Sequence, residues 1–236
     1  PWYYRQFGYE MALEHLGSRS GNVTNVPRLM PGETEPYRLR AAANEDVPFV
    51  SRTYAQVTRR DMVACMHGEE MWRHHLKAPG HATDHRDEVR VVDTVAGEPV
   101  GILMHAPALS GGELVATVYE LRSGVSWPAV TPSVIRYMER AGEGYADRDD
   151  GQRFAAFNLE LGEKHPAYDA VNDALPRAVR QYSWYVRVPD LPGFLGLIGP
   201  VLESRLADSP AAGHTGELKI SFITGGLRLS FDSGRL

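Results

Sequence analysis

The chain has 236 residues, 43% hydrophobic and 23% charged, with 25 Lys plus Arg against 30 Asp plus Glu. That composition can fill a core and excludes a wholly disordered chain, while a formal charge of −5 excludes broad nucleic-acid binding, which needs a basic surface to displace counterions. A single cysteine, Cys65, excludes an intramolecular disulfide and a multi-cysteine zinc site, and no apolar run approaches the roughly 20 residues of a membrane span.

The opening "PWYYRQFGYEMALE" reads as a short turn followed by a strand. Residues 17–36, rich in Gly, Ser, Asn and Pro, read as a linker. "YRLRAA" alternates as a strand, and "NEDVPFVSRTYAQVT" follows as a helix. Asn44 is its expected cap, Pro48 lies in its first turn, and Val47, Val50, Tyr54 and Val57 line one face. A second helix is expected over 60–76, with Met62, Cys65, Met66, Trp72 and Leu76 on its apolar stripe.

"DEVRVVDTVAGEPVGILMHAPAL" has the pattern of a hairpin turning at "AGEP", and "GELVATVYELRSG" of a third strand. "TPSVIRYMERAG" starts a helix with Thr131 as cap and Pro132 as first residue, and Gly142 suits its stop. "FAAFNLELG" alternates as a strand and "HPAYDAVNDAL" is a short helix, so residues 37–177 read β-α-α-β-β-β-α-β-α. "YSWYVRV" opens a new unit with a strand, and a helix follows with Leu191, Phe194, Leu195, Ile198, Leu202 and Leu206 at helical spacing. Gly199-Pro200 is expected to kink or split that helix. "GELKISFITGGLRLSFDSGRL" closes the chain as a hairpin around "TGG".

"Tyr4-Arg-Gln-Phe-Gly8-Tyr9" resembles the aromatic-x-x-x-Gly-aromatic signature near the end of catalytic domains in the GNAT superfamily of N-acetyltransferases. The element order over 37–177 resembles the GNAT fold as well. "YSWYVRVPDLPGFLGLIGPVLESRLA" and the last hairpin resemble the start of a sterol-carrier-protein-like domain. Together they resemble the enhanced-intracellular-survival type of acetyltransferase. The fold class so implied is α+β: a GNAT-like mixed sheet with flanking helices, then part of a sterol-carrier-like domain. Residues 1–16 would be the tail of a first, catalytic GNAT domain, 17–36 a linker, 37–180 a second, degenerate GNAT-like domain, and 181–236 the N-terminal part of the third. The chain would be a fragment, inactive by itself.

The resemblance implies transfer of acetyl from acetyl-CoA to a primary amine, a small molecule or a lysine. Tyr4 matches the general acid that protonates the departing thiolate, since a phenol stays protonated at neutral pH; Tyr3 is the rival, one residue away. The family holds the acetyl-CoA pyrophosphate on a loop of the type Arg/Gln-x-x-Gly-x-Gly/Ala at a helix start. Here "VSWPAVTPSVIRYM" stands in that place, with Trp127 and two prolines, Pro128 and Pro132, that donate no amide. No cofactor-binding residue is therefore assigned in 37–180, and acetyl-CoA is expected on the first domain. A homo-oligomer, a cytoplasmic setting and no membrane or nucleic-acid partner complete the expectation. The alternative is a non-catalytic hydrophobic-ligand or scaffold module of the sterol-carrier type.

Other residues are weighed against this. His67, His74, His75, His81 and His85, with Glu69 and Glu70, suggest a metal site, but His-Glu-x-x-His is absent; surface histidines near a helix end are the expectation, with no metal. Cys65 is expected in the core. His165, Pro166 and Tyr168 read as a helix start and packing device.

Overall fold

The computed structural model describes every residue except 1, 15–16, 62–63, 78–86, 149–152, 163, 180–182 and 223–224. In chain order the elements are α1 (Trp2–Arg5), β1 (Glu10–Glu14), β2 (Ser18–Asn22), β3 (Tyr37–Ala41), α2 (Val47–Tyr54), α3 (Val57–Arg60), α4 (Glu69–Lys77), β4 (Glu88–Thr94), β5 (Pro99–His105), β6 (Glu113–Leu121), α5 (Trp127–Arg148), β7 (Ala156–Leu159), α6 (Pro166–Ala170), β8 (Arg177–Val179), β9 (Ser183–Val186), α7 (Leu191–Ala207), β10 (Gly216–Phe222) and β11 (Gly225–Phe231). They form two compact units: Glu14–Tyr182, and Pro1–Leu13 together with Ser183–Leu236.

The larger unit is built on a seven-stranded mixed sheet in the order β3-β4-β5-β6-β7-β2-β8. All its neighbours are antiparallel except β6 and β7, which run parallel. The crossover between those two is α5, as a parallel pair requires. Two buried clusters lie on the sheet. One joins Leu103, Leu114, Ala116, Tyr119 and Phe157 to Val134, Ile135 and Met138 of α5. The other joins Val89, Val91, Ile102 and Val118 to Val47, Val50 and Tyr54 of α2 and Trp72 of α4.

Two bulges decide which residue enters which cluster. Val92 pairs with Gly101 and Asp93 with Pro99, so Val100 is the extra residue and joins Leu103 rather than Ile102. Met104 pairs with Val118 and His105 with Ala116, so Thr117 is the extra residue, and Ala116 and Val118 fall in different clusters.

Several expectations change. Ser18–Asn22, expected as linker, is a strand held between β7 and β8. Its burial rests on Gly21, where a Cβ would collide with the Ala174 carbonyl and the Phe157 ring. Residues 23–36 are tied down too: Arg28 grips Glu139 at 2.7 and 2.9 Å, and Arg136 grips Glu35 at 2.6 and 2.9 Å and the Pro27 carbonyl at 3.0 Å. Asn44 makes no cap; Asp46 accepts the Ala43 amide at 2.8 Å and is itself held by the Arg40 guanidinium. The helix expected over 60–76 breaks into α3 and α4, because Asp61 turns extended and Gly68 precedes a new start with Glu69 and Glu70 in its first turn. Cys65, in the break, is exposed rather than in the core.

Helix α5 starts at Trp127, earlier than Thr131, and passes through Gly142 to Arg148. Thr131 is therefore not the cap: its hydroxyl donates to the Trp127 carbonyl at 2.8 Å and meets the Tyr119 hydroxyl at 3.0 Å.

In the smaller unit β1 pairs with β9, and β10 with β11. Residues 1–13 thus cluster with 183–236, which the sequence reading kept apart. Helix α7 carries Pro200 without splitting. The residue before a proline resists the helical region through its Cβ, and here that residue is Gly199. The hairpin register sets Leu218 opposite Leu229 and Ile220 opposite Leu227, so one face is apolar, and Leu218 and Phe222 remain exposed.

The packing of Gly142 gives a test. A Cβ there would meet the Phe154 ring, whereas one at Gly144, two residues on in the same helix, meets nothing. Gly142→Ala is expected to destabilise by about 1–3 kcal/mol through overpacking, and Gly144→Ala to stabilise by up to about 1 kcal/mol, both read from urea unfolding midpoints.

Candidate functional site

Two places carry the chemistry singled out in the sequence. In the smaller unit, Tyr4 lies on the one-turn helix α1, with Gly8 at φ +78° closing the turn behind it. The amides of Phe7 and Tyr9 both donate to the Tyr4 carbonyl, at 3.0 and 3.2 Å. The Tyr4 ring packs 4.8 Å from Tyr185 and 6.3 Å from Tyr9. Tyr4 is 49% exposed and its rival Tyr3 63%. Both phenols are open to solvent, and Tyr4 is the one locked against the β1–β9 pair.

In the larger unit, the parallel strands β6 and β7 pair from Glu113 with Ala156 to Ala116 with Leu159 and then part. The bulge at Thr117 falls at that point. Beyond it, His165 fills the gap. Its Nδ1 accepts the Ala167 amide at 3.2 Å, capping α6, so the proton sits on Nε2, which donates to the Tyr119 carbonyl at 2.9 Å. Trp127 stands edge-on to both His165 and Tyr119, with ring centroids 5.0 Å apart in each case. His165 and Tyr119 are fully enclosed. Burial drives the Tyr119 phenol far above its usual range. Tyr168 closes the floor: its hydroxyl accepts the Leu161 amide at 3.1 Å and donates to the Leu159 carbonyl at 2.7 Å, and burial pushes it up to about 12. His165 and Tyr168 thus behave as the helix start and packing device read from the sequence.

The loop from β6 to α5 spans residues 122–126. The Val125 amide donates to the Arg122 carbonyl at 3.1 Å, and the Ala129 and Val130 amides both donate to Ser126, each at 3.2 Å. Pro128, second in α5, has no amide. Beside this loop Glu120, 3% exposed, takes the Arg60 fork at 2.6 and 3.1 Å and lies 3.6 Å from His165 Nε2.

The histidine run is divided. His67 packs among Tyr54, Trp72 and His75; His81 and His85 lie outside the described residues. Among the described residues no three His, Cys, Asp or Glu side chains gather as a metal site. The sequence reading passed over His105, which is fully buried. Its Nδ1–H donates to the Ala106 carbonyl at 2.8 Å and its Nε2 accepts the Tyr137 hydroxyl at 2.9 Å; burial lowers it to about 4. Its position in an alternating strand, facing the α5 side, was the available signal. Glu120 and Arg60 were also missed, because nothing local pairs residues 60 apart in the chain.

No protein-family model and no curated protein matches the sequence. Among solved structures, a conserved protein of Enterococcus faecalis V583, described as a probable N-acyltransferase, superposes over 99% of this chain and 54% of its own, with a TM-score of 0.53 and 11% identity. This chain thus spans about half the length of that protein. A possible acetyltransferase of Clostridium difficile 630 aligns over 66% of this chain and 99% of its own at a TM-score of 0.39 and 14% identity. The N-myristoyltransferase of Saccharomyces cerevisiae, whose structure holds myristoyl-CoA, aligns over 61% of this chain and 41% of its own at 0.36 and 12%. The last two superpositions are too loose to bear on mechanism. The likeness to the Enterococcus faecalis protein is one of fold: a mixed α+β sheet with flanking helices. No described helix is long and apolar enough to cross a membrane.

The His165 contact has a measurable weight. His165→Ala removes the α6 cap and the donor to the Tyr119 carbonyl, and is expected to destabilise by about 2–4 kcal/mol. Tyr168→Phe, which leaves the Leu161 amide without its acceptor, is expected to cost about 1–3 kcal/mol. Equilibrium urea unfolding measures both.

Proposed function

We propose that this chain is part of an N-acetyltransferase that moves acetyl from acetyl-CoA to a primary amine, and that the larger unit, residues 37–180 with strand β2 in its sheet, is a GNAT-like domain that does not carry the donor. One observation carries the second half of this reading: His165 and Trp127 fill the parting of β6 and β7. The neighbouring loop adds support. A phosphate cradle needs free backbone amides at a helix start, and here the Val125 amide is taken by the Arg122 carbonyl and Pro128, second in α5, has none. The donor then docks on a preceding domain, whose tail is residues 1–16. Tyr4 acts there as the general acid, handing its proton to the thiolate as the tetrahedral intermediate collapses. The acceptor is an amine, on a small molecule or a lysine, that reacts as the neutral base.

Residues 181–236 fit a sterol-carrier-like piece, and the half-open apolar faces of α7 and the hairpin favour a scaffold or hydrophobic-ligand role for that part. Aliphatic density enclosed between them in a crystal of the intact protein would favour the ligand role over the scaffold.

Calorimetry with acetyl-CoA tests the main reading. This chain is expected to give no binding heat and the intact protein to bind. In the intact protein Tyr4→Phe is expected to lower kcat by about 10²–10⁴-fold with little change in the KM for acetyl-CoA. Unchanged kcat would remove Tyr4 from the chemistry, and acetyl-CoA density against residues 123–134 would overturn the assignment of the domain.

A further inference from the structure

The break between α3 and α4 is spanned by residues 61–68. Of its described residues, Cys65, Met66 and Gly68 are exposed, and Asp61 is tied to Arg60 at 3.1 Å. His67 is the side chain that inserts. Its ring stacks on Tyr54 of α2, centroids 5.0 Å apart and planes 15° from parallel. Trp72 of α4 stands at 87° to it at 5.1 Å, and His75, one turn further along α4, lies 5.7 Å away. Tyr54 and Trp72 belong to the buried cluster shared by α2, α4 and the sheet.

We propose that His67 is an acid-released latch: as a neutral ring it holds residues 64–68 against the α2–α4 core, and on gaining a proton it lets them and the start of α4 lift away.

The hydrogen bonding of the ring is the first reason. His67 Nδ1 is buried and has no hydrogen-bond partner, and neither does the Trp72 Nε1–H beside it. A neutral imidazole can leave one nitrogen bare at modest cost. An imidazolium carries a proton on both nitrogens and needs an acceptor for each. At Nδ1 a charged donor would be enclosed without one, which is among the more costly arrangements in a folded protein.

The charges around the ring are the second reason. From α4 the facing titratable group is His75, which on protonation repels a charged His67. From α2 it is Tyr54, whose phenol burial pushes up to about 12, so it stays neutral. Cys65, Asp61 and Glu120 face Tyr54 in turn. Asp61 and Glu120 are both held by Arg60, and Glu69 by Arg73, so each already serves a guanidinium. The face of the Tyr54 ring offers some cation–π attraction, which opposes these terms. Burial first, and then His75, hold His67 below the ordinary histidine value.

The sign follows. A group that binds its proton less readily in the closed state than in the released one stabilises the closed state above the ordinary histidine range near pH ~6.5 and loses that contribution as pH falls through it. Acidification therefore opens the latch, uncovering Tyr54 and Trp72. Each unit of separation between the two states is about a tenfold change in the opening equilibrium.

Amide hydrogen exchange at pH 7.5 and 5.0, corrected for intrinsic rates, tests this. Residues 64–76 are expected to gain about tenfold or more in relative exchange at the lower pH, while the centre of α5 does not change. His67→Gln, which fills the space without titrating, is expected to remove the difference; His75→Gln should shrink it. Equal protection of 64–76 at both pH values, or the same gain in His67→Gln, overturns the latch. Should His67→Gln not fold, the proton titration of His67 followed by NMR in the unaltered chain decides: a midpoint below the ordinary value supports the latch, and one at or above it overturns it.

Discussion

The parting of two parallel strands organises the larger unit. A parallel pair needs a crossover, and α5 supplies it; β6 and β7 then share four residue pairs before they separate past Ala116 and Leu159. Strand separation leaves carbonyls such as that of Tyr119 without a ladder partner, and a buried carbonyl must find a donor. His165 provides it from the far side of the gap and caps α6 with its other nitrogen. One ring therefore joins β6 to α6 and fixes its own tautomer. Trp127, Tyr119 and Tyr168 close around it.

Around this wedge the unit is held by charged forks between segments distant in sequence. Arg60 reaches Glu120, Arg136 reaches Glu35, Arg28 reaches Glu139, and Arg40 joins Asp46 to Asp93. In each case the carboxylate is well covered; Glu120, Glu35, Glu139 and Asp46 each take two donors of the guanidinium fork, the geometry a carboxylate accepts, while Asp93 takes the Arg40 Nε–H alone. Such pairs add little net stability against an apolar alternative, but removing one partner leaves a covered charge alone. Their effect is to fix where the loops lie. Residues 23–36 run along α5 because Arg28 reaches Glu139 on that helix and Glu35 accepts from its Arg136.

The smaller unit is built differently. Its described side chains form no buried cluster, and Phe194, Leu197 and Val201 of α7 remain open with Leu218 and Phe222 of the hairpin. The contrast with the sheet of the larger unit is one of layers. A helix or a strand pair buries its apolar side only against a second layer, and a two-stranded sheet offers little of one. Tyr4 in this unit is positioned by backbone bonds across the Gly8 turn and by the Tyr185 ring rather than by a packed pocket.

The sequence by itself determined most of the elements and the mixed sheet-and-helix class. Strands β3 to β7 and helices α2, α5 and α6 announce themselves through alternation, helical spacing and turn residues, which depend on neighbours a few positions apart. It also marked His165 and Tyr168 as a helix start. What only the tertiary structure decided is wherever a residue answers to a distant one. Strand β2, Ser-Arg-Ser-Gly-Asn, has no apolar pattern and is a strand because β7 and β8 supply its hydrogen bonds on both sides. Of the stripe read over 60–76 only the second half is a helix, α4 with Trp72 and Leu76; before it Arg60 is drawn to Glu120 and His67 to Tyr54 and Trp72, and Cys65 is left outside. Helix α5 starts at Trp127, so Thr131, which a local reading makes a cap, lies inside it, donating to the Trp127 carbonyl and accepting from the Tyr119 hydroxyl. Local rules see a chain's bonds with itself over one or two turns; burial and ion pairing are settled by whichever segment arrives from elsewhere.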